Sequence, residues 1–280
     1  MIAIVTDSAS MLPPAWRDRF GVHVAPMTVT VDGTPYREGV EITTTEFYRR
    51  LAGGAEVSTS TPSPGQLLAA YVEAVDAGAT GIVSIHTGSD YSAVLDAARI
   101  AAREVRVDVE LVDTATASFP VALCVASACD ERATGGDLAS TAAAAASTAA
   151  VVDSIFVVGV PELARRGGRL GSTHVASPTA ILALGPAGLA EHATAADIDD
   201  AIDRMAAHVR DAASVQSMRV GVGDADRPDL GDRLAAALAG SDGIVELTRY
   251  EVGPSVGAHS GPGTVGAVWA PLAVPSLRWS

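Results

Sequence analysis

A hydroxyl-rich run, Ser58-Thr59-Ser60-Thr61-Pro62-Ser63-Pro64-Gly65-Gln66, carries the first residues able to hold a small acid. Ser63 suits a helix N-cap, Pro64 the first helical position and Gln66 the third, the pattern of a capping box with proline at N1. A helix start leaves backbone N–H groups free and carries partial positive charge, which favours an anion. The hydroxyls just upstream can donate to the same anion. An ordinary capped helix behind a polar loop would use the same residues. Two more stretches have comparable chemistry, Thr6-Asp7-Ser8 and the run from His86 through Ser92. In open α/β sheets ligands sit at the carboxyl ends of strands, so three such ends on one sheet edge predict a polar patch. Asp7 suits a structural role, orienting nearby backbone. His259 lies in Gly257-Ala258-His259-Ser260-Gly261-Pro262-Gly263, where glycines let backbone approach a ligand closely. It reads equally as a ligand group or as a satisfied loop histidine.

The elements that must position these residues alternate through the first half. Strands are predicted at 1–6, 81–85 and 107–112, with helices at 13–20, 64–77, from the His86 loop to 104, 115–129 and 138–150. Residues 22–31 alternate apolar and polar side chains, and Asp32-Gly33 then signals a hairpin. Thr43-x-x-Glu46 opens another helix, to about 51. Gly78 suits a helix end. The rhythm predicts a parallel sheet with helices on both faces. A strand follows at 154–160, then one helical turn, Pro161 to Gly168, closed by glycines. The domain boundary is placed here, giving units 1–160 and 161–280. Strands at 180–184, 217–222, 244–252 and 264–270 and helices at 195–212 and 228–239 make the second half α+β.

Composition removes several classes of function. The 280 residues are 48% hydrophobic, enough for one large or two modest domains. No apolar run reaches the ~18–20 residues of a membrane span, and the N-terminus lacks the basic region of a signal peptide, so a cytoplasmic protein is expected. A formal charge of −14 opposes nucleic-acid binding, which depends on neutralising phosphates. All 19 basic residues are arginine, which excludes a Schiff-base lysine and a Walker A site. Six scattered histidines and two cysteines, Cys124 and Cys129, show no metal-ligand spacing, and the thiols read as buried and free. Gly261-Pro262-Gly263-Thr264-Val265-Gly266 has the spacing of a dinucleotide fingerprint. A strand follows it where a helix is required, so no nucleotide cofactor is expected.

Taken together, the segments resemble the DegV family of bacterial fatty-acid-binding proteins. The resemblance rests on Ile4-Val5-Thr6-Asp7-Ser8, Tyr36-Arg37-Glu38-Gly39-Val40-Glu41-Ile42-Thr43, Thr59-Ser60-Thr61-Pro62-Ser63-Pro64-Gly65, Ser84-Ile85-His86, Gly167-Gly168-Arg169-Leu170-Gly171 and His259-Ser260-Gly261-Pro262-Gly263, in that order. It implies an α/β fold of two domains, an N-terminal Rossmann-like parallel-sheet domain and a C-terminal α+β domain, with an acyl tunnel between and within them. It implies that Thr59, Ser92 and His259 hold a long-chain fatty-acid carboxylate, supported by loops carrying Ser60, Thr61, His86, Ser89, Ser260 and Gly261. It further implies a carrier that presents the acid to a separate ATP-dependent fatty-acid kinase, with Arg169 as a docking residue and no metal or other cofactor. The chain departs from the family in Gly88-Ser89-Asp90-Tyr91-Ser92-Ala93-Val94-Leu95, where two glycines of the usual S-S-G-L-S-G-T-Y are lost and Asp90 adds a negative charge. Two rival readings stand beside the carrier. One is a hydrolase or acyltransferase using Ser92 and His259, the other a lipid-binding regulatory protein without a kinase.

Overall fold

Apolar runs that can be buried on both faces set the first sheet. In the computed structural model, which describes residues 1–168, 177 and 179–272, the chain divides into two compact units. Met1–Thr43 and Arg50–Ala150 form the first, and Thr44–Arg49 and Val151–Ser280 group as the second.

The first unit contains β1 (Ile2–Asp7), α1 (Pro14–Phe20), β2 (Val22–Ala25), β3 (Thr28–Val31) and β4 (Thr34–Arg37). Then come α2 (Thr44–Ala52), whose first six residues group with the second unit, β5 (Val57–Ser60), α3 (Pro64–Asp76) and β6 (Gly81–His86). It ends with α4 (Val94–Ala102), β7 (Asp108–Asp113), α5 (Phe119–Ala133) and α6 (Leu138–Ala149). Strands β2-β1-β6-β7 form a parallel sheet in that order, with Ile2 opposite Gly81 and Thr6 opposite Ile85. One face packs Ala3, Val5 and Ile82 against Leu67 and Tyr71 of α3 and Val94 and Ala98 of α4. Helices α5 and α6 pack together, α5 onto β1 and β6 and α6 onto β6 and β7. Both cysteines are free and buried in α5, where burial pushes the Cys124 thiol up to about 12.

Three local expectations change. The alternating run 22–31 serves two sheets, because Pro26 cannot donate to a ladder and breaks it. β2 joins the parallel sheet, while β3 turns through Asp32 and Gly33, both at positive φ, into β4. Next, α5 begins at Phe119 and not at 115, because Ala115 and Ser118 take positive φ values of 51° and 66°. Finally, the Ser58–Ser60 run does not lie on the parallel-sheet edge. It forms β5 in a separate antiparallel sheet of order β4-β3-β5, with Thr59 opposite Val29.

The second unit contains β8 (Asp153–Val157), α7 (Pro161–Gly167), β9 (Ala180–Gly185), β10 (Gly188–Thr194) and α8 (Ile198–Ala213). It continues with β11 (Met218–Asp224), α9 (Pro228–Leu238), β12 (Ile244–Glu251), α10 (Pro254–Ser260) and β13 (Val265–Pro271). Its sheet order is β10-β9-β8-β13-β11-β12, parallel only between β11 and β12. Ile202, Met205 and Val209 of α8 and Leu234 of α9 share a core with Val220 and Trp269. Strand β8, expected in the first unit, pairs here, so the division falls after Ala150 and not after 160. The helix segment Thr44–Arg49 is anchored here too, with Tyr48 Oη donating to the Val252 carbonyl at 2.9 Å. Neither β10 nor α10 follows from the sequence pattern. β10 is a largely exposed edge strand with little apolar alternation, and α10 spans only seven residues.

Among the described residues no helix is long and apolar enough to cross a membrane. Nor does any group of three or more His, Cys, Asp or Glu among them suit a metal ion.

Candidate functional site

Parallel pairing brings the carboxyl ends of β1 and β6 side by side, and with them Asp7 and His86. Residues two apart on a strand share a face, so Ser84 and His86 point the same way. His86 Nδ1 lies 2.9 Å from Asp7 Oδ2, and its Nε2 lies 2.7 Å from Ser84 Oγ. Ser84 Oγ is in turn 2.8 Å from the Tyr71 hydroxyl of α3. A carboxylate only accepts, so Nδ1 donates to Asp7. Asp7 also accepts from the Ala9 amide at 3.0 Å and from the Thr87 amide and hydroxyl, both at 3.3 Å. This confirms the structural role expected of Asp7, which caps the short helical turn Ser8–Ser10.

Asp7, His86 and Ser84 have the connectivity of a nucleophilic triad, but all three, and Tyr71, are fully buried at 0% exposure. A hydroxyl sealed from solvent, with its oxygen held between His86 and Tyr71, is not placed as an open nucleophile. Burial raises the Tyr71 phenol pKa, against a smaller lowering by the Ser84 hydrogen bond, so the chain of hydrogen bonds ends on a neutral phenol. Sequence reading missed Ser84 and Tyr71 as partners of His86. The two-residue spacing of Ser-x-His was the available signal for Ser84.

The loop after β6 approaches the loop after β7 closely. A Cβ at Gly88 would meet the Ala115 Cα at 2.7 Å, and the Gly88 amide donates to the Thr116 carbonyl at 2.7 Å. Ser89 is committed to this junction, its hydroxyl donating to Asp113 Oδ2 at 2.6 Å. Partial burial raises the Asp113 pKa, but bonds from Ser89 and the Ala115 amide outweigh it and hold the carboxyl below its usual value. Ser92 differs. Its Oγ accepts from the Val94 amide at 3.2 Å at the start of α4, which leaves its proton to donate elsewhere. Beside it, burial first and the Asp90 charge second raise the Tyr91 pKa, so this phenol also stays neutral.

The hydroxyl-rich run behaves as its spacing requires. Ser63 Oγ accepts from the Gln66 amide at 3.3 Å, and Gln66 Oε1 accepts from the Ser63 amide at 2.8 Å. On β5 the side chains alternate, with Ser58 and Ser60 exposed and Thr59 half-buried. Thr61 is half-buried beyond the strand end. At the carboxyl end of β1, the Ser8 hydroxyl donates to the Glu38 carboxylate and accepts from the Met27 amide at 2.9 Å, which ties β1 to the β3–β4 hairpin.

In the second unit His259 stands in the last turn of α10, not in a loop as expected. Gly261 ends that helix at φ +74°. A Cβ there would lie 2.5 Å from Val160 Cβ, and the Val160 amide donates to the Ser260 carbonyl at 2.9 Å. Thr264 Oγ1 donates to the Ser260 and Gly261 carbonyls and accepts from the Gly159 amide at 3.0 Å. The Ser260 hydroxyl oxygen is buried and has no hydrogen-bond partner among the described residues. The glycine-rich segment runs into β13, the strand that the rejection of a dinucleotide site required. Arg165 pairs with Glu162 on α7, and Arg169 lies outside the described residues.

The chain as a whole matches a known family. Residues 1–272 match the DegV family, described as uncharacterised proteins. A DegV domain-containing protein of Streptomyces coelicolor is 33% identical over 274 residues, covering 95% of this chain and 97% of the relative. A DegV family protein of Thermus thermophilus, solved in a study of its fatty acid binding, is similar at 30% identity and a TM-score of 0.87, covering 97% of this chain and 99% of that one. The DegV protein of Bacillus subtilis, described as a fatty acid binding protein, is similar at 25% identity and a TM-score of 0.89 over the same shares. The chain belongs to the DegV family.

Proposed function

We propose that this protein binds a long-chain fatty acid and presents its carboxylate to a separate ATP-dependent kinase that forms the acyl phosphate. The observation that carries the binding is the likeness, over 97% of the chain, to the Thermus and Bacillus proteins described as fatty acid binding. In this reading Thr59, Ser92 and His259 hold the carboxylate, with Ser60, Thr61, Ser260 and Gly261 shaping the loops around it. Ser92 supports the assignment because its acceptor side is used by the Val94 amide and its proton is left to donate. His86 and Ser89 support from behind, through Asp7 and Asp113 respectively.

The energetics divide the work. Burying about 15 methylenes at roughly 0.8 kcal/mol each offers about 12 kcal/mol of gross transfer energy. Association and chain ordering consume much of this, so the polar end orients the ligand more than it sets affinity. Neutral hydroxyls with one histidine satisfy a carboxylate without another permanent buried charge.

Mass spectrometry of the native protein tests the binding. Near one long-chain acid per chain is expected. Apo protein alone, with no uptake of added oleate or palmitate, would end the proposal. The kinase step is tested through Arg169. Arg169→Ala should keep the lipid and lower kinase-coupled acyl-phosphate formation about tenfold, ~1.4 kcal/mol. Lipid and rate lost in proportion would place Arg169 at the ligand, and both unchanged would remove it from function.

A further inference from the structure

Two adjacent glycines, Gly167 and Gly168, close α7, and they are there for different reasons. Gly168 takes φ +68° with nothing within 4 Å of a Cβ, so its requirement is conformational. Gly167 does not take a positive φ. Its requirement is space. A Cβ at Gly167 would overlap Nδ1 of His259 and lie 3.3 Å from the ring Cγ and Cε1. The Nδ1 edge of the imidazole therefore rests on the Gly167 backbone, and Nε2 occupies the opposite edge.

The surrounding helices give the ring little freedom to escape such a Cβ by moving as a body. The Val160 amide holds the Ser260 carbonyl, and a Cβ at Gly261 would lie 2.5 Å from Val160 Cβ and 3.2 Å from Leu163 Cδ1. At the other side of α10, a Cβ at Gly257 would overlap the Tyr48 hydroxyl, which is itself fixed to the Val252 carbonyl. Helix α10 is thus seated on both sides by glycine contacts. An added methyl at 167 must be accommodated by rotating the His259 side chain.

We infer that Gly167 is a positioning residue for ligand recognition: its missing side chain leaves the space that the Nδ1 edge of the His259 ring occupies, so that a side chain at 167 would displace the ring. The inference rests on the proposed role of His259 in holding the acid, and its test separates the two. Alanine is a better helix former than glycine, so Gly167→Ala should leave α7 and the thermal midpoint intact. NMR of histidine-labelled protein, with the His259 signals assigned by their loss in His259→Ala, reads the ring directly. Oleate and methyl oleate affinities read the consequence.

The expected result for Gly167→Ala is a shifted His259 ring signal, about tenfold weaker oleate binding and nearly unchanged methyl oleate binding. The double variant Gly167→Ala/His259→Ala has no ring to displace and should bind oleate as His259→Ala does alone. An unmoved ring signal with wild-type oleate affinity would overturn the inference. So would additive losses in the double variant, which would mean that Gly167 acts independently of His259. A moved ring signal with wild-type oleate binding in both single variants would remove the carboxylate role of His259, and the positioning role with it.

Discussion

His86 and His259 sit in different units and are built in opposite ways. Both ring nitrogens of His86 are spent inside the protein, on Asp7 and Ser84, and nothing around it is exposed. His259 is half-buried at a helix end, packed edge-on against a glycine, beside a buried serine hydroxyl without a partner among the described residues. The first arrangement is a brace. It closes the parallel sheet where two strands end and adds the imidazole to the Ala9 and Thr87 donors that satisfy the buried Asp7 carboxylate. On the proposed reading the second presents its side chain to the acid, with the Gly167 backbone packed against one edge of the ring. Triad-like connectivity therefore marks the wrong histidine for chemistry here, because burial and not order of atoms decides access.

The strongest way to break this contrast is His86→Ala. It strips Asp7 of its closest hydrogen-bond partner inside the core and should cost about 3 kcal/mol or more of stability. Urea unfolding measures it, and a loss below ~1 kcal/mol would show that His86 is no brace. The head-group variants should do the reverse. Thr59→Ala, Ser92→Ala and His259→Ala should each weaken acid binding by about 1.5–3 kcal/mol while the chain unfolds at wild-type denaturant concentration. Wild-type affinity in all three would put the carboxylate elsewhere. Ser84→Ala sharpens the brace alone. It leaves His86 Nε2 and the Tyr71 hydroxyl without their shared partner, for roughly 1–3 kcal/mol of stability and no change in ligand affinity. The same sealed environment predicts that a serine-reactive fluorophosphonate leaves Ser84 unlabelled, and labelling there would show that Ser84 is not sealed; labelling at Ser92 would favour the hydrolase reading.

Much of the first unit was legible because its signals are local. Ser63, Pro64 and Gln66 start α3 through contacts three residues apart. The apolar strands β1 and β6 and the hairpin turn at Asp32-Gly33 are likewise short-range patterns. Where periodicity ran past a breaker it misled, as at Pro26. Where a helical pattern extended into residues held at positive φ, as at Ala115 and Ser118, it started a helix too early. β10 was illegible because an exposed edge strand needs no apolar alternation, and α10 because seven residues carry too little pattern.

For the site the line falls differently. Residue types and order singled out the hydroxyl-rich loop, the run from His86 through Ser92 and His259, and the family resemblance picked Thr59, Ser92 and His259 from them. The sequence also showed, without any fold, that no lysine chemistry is available and that a strong negative charge opposes nucleic acid. Only tertiary structure could separate a strand-end cluster into parts. It put Thr59 on a different sheet from Asp7 and His86, committed Ser89 to Asp113, and left the Ser92 proton to donate. It also gave the two glycines of Gly167-Gly168 distinct duties. A sequence records that a side chain is missing, but whether the reason is a backbone angle or a neighbouring ring depends on residues 92 positions away, and long-range packing alone brings His259 onto Gly167.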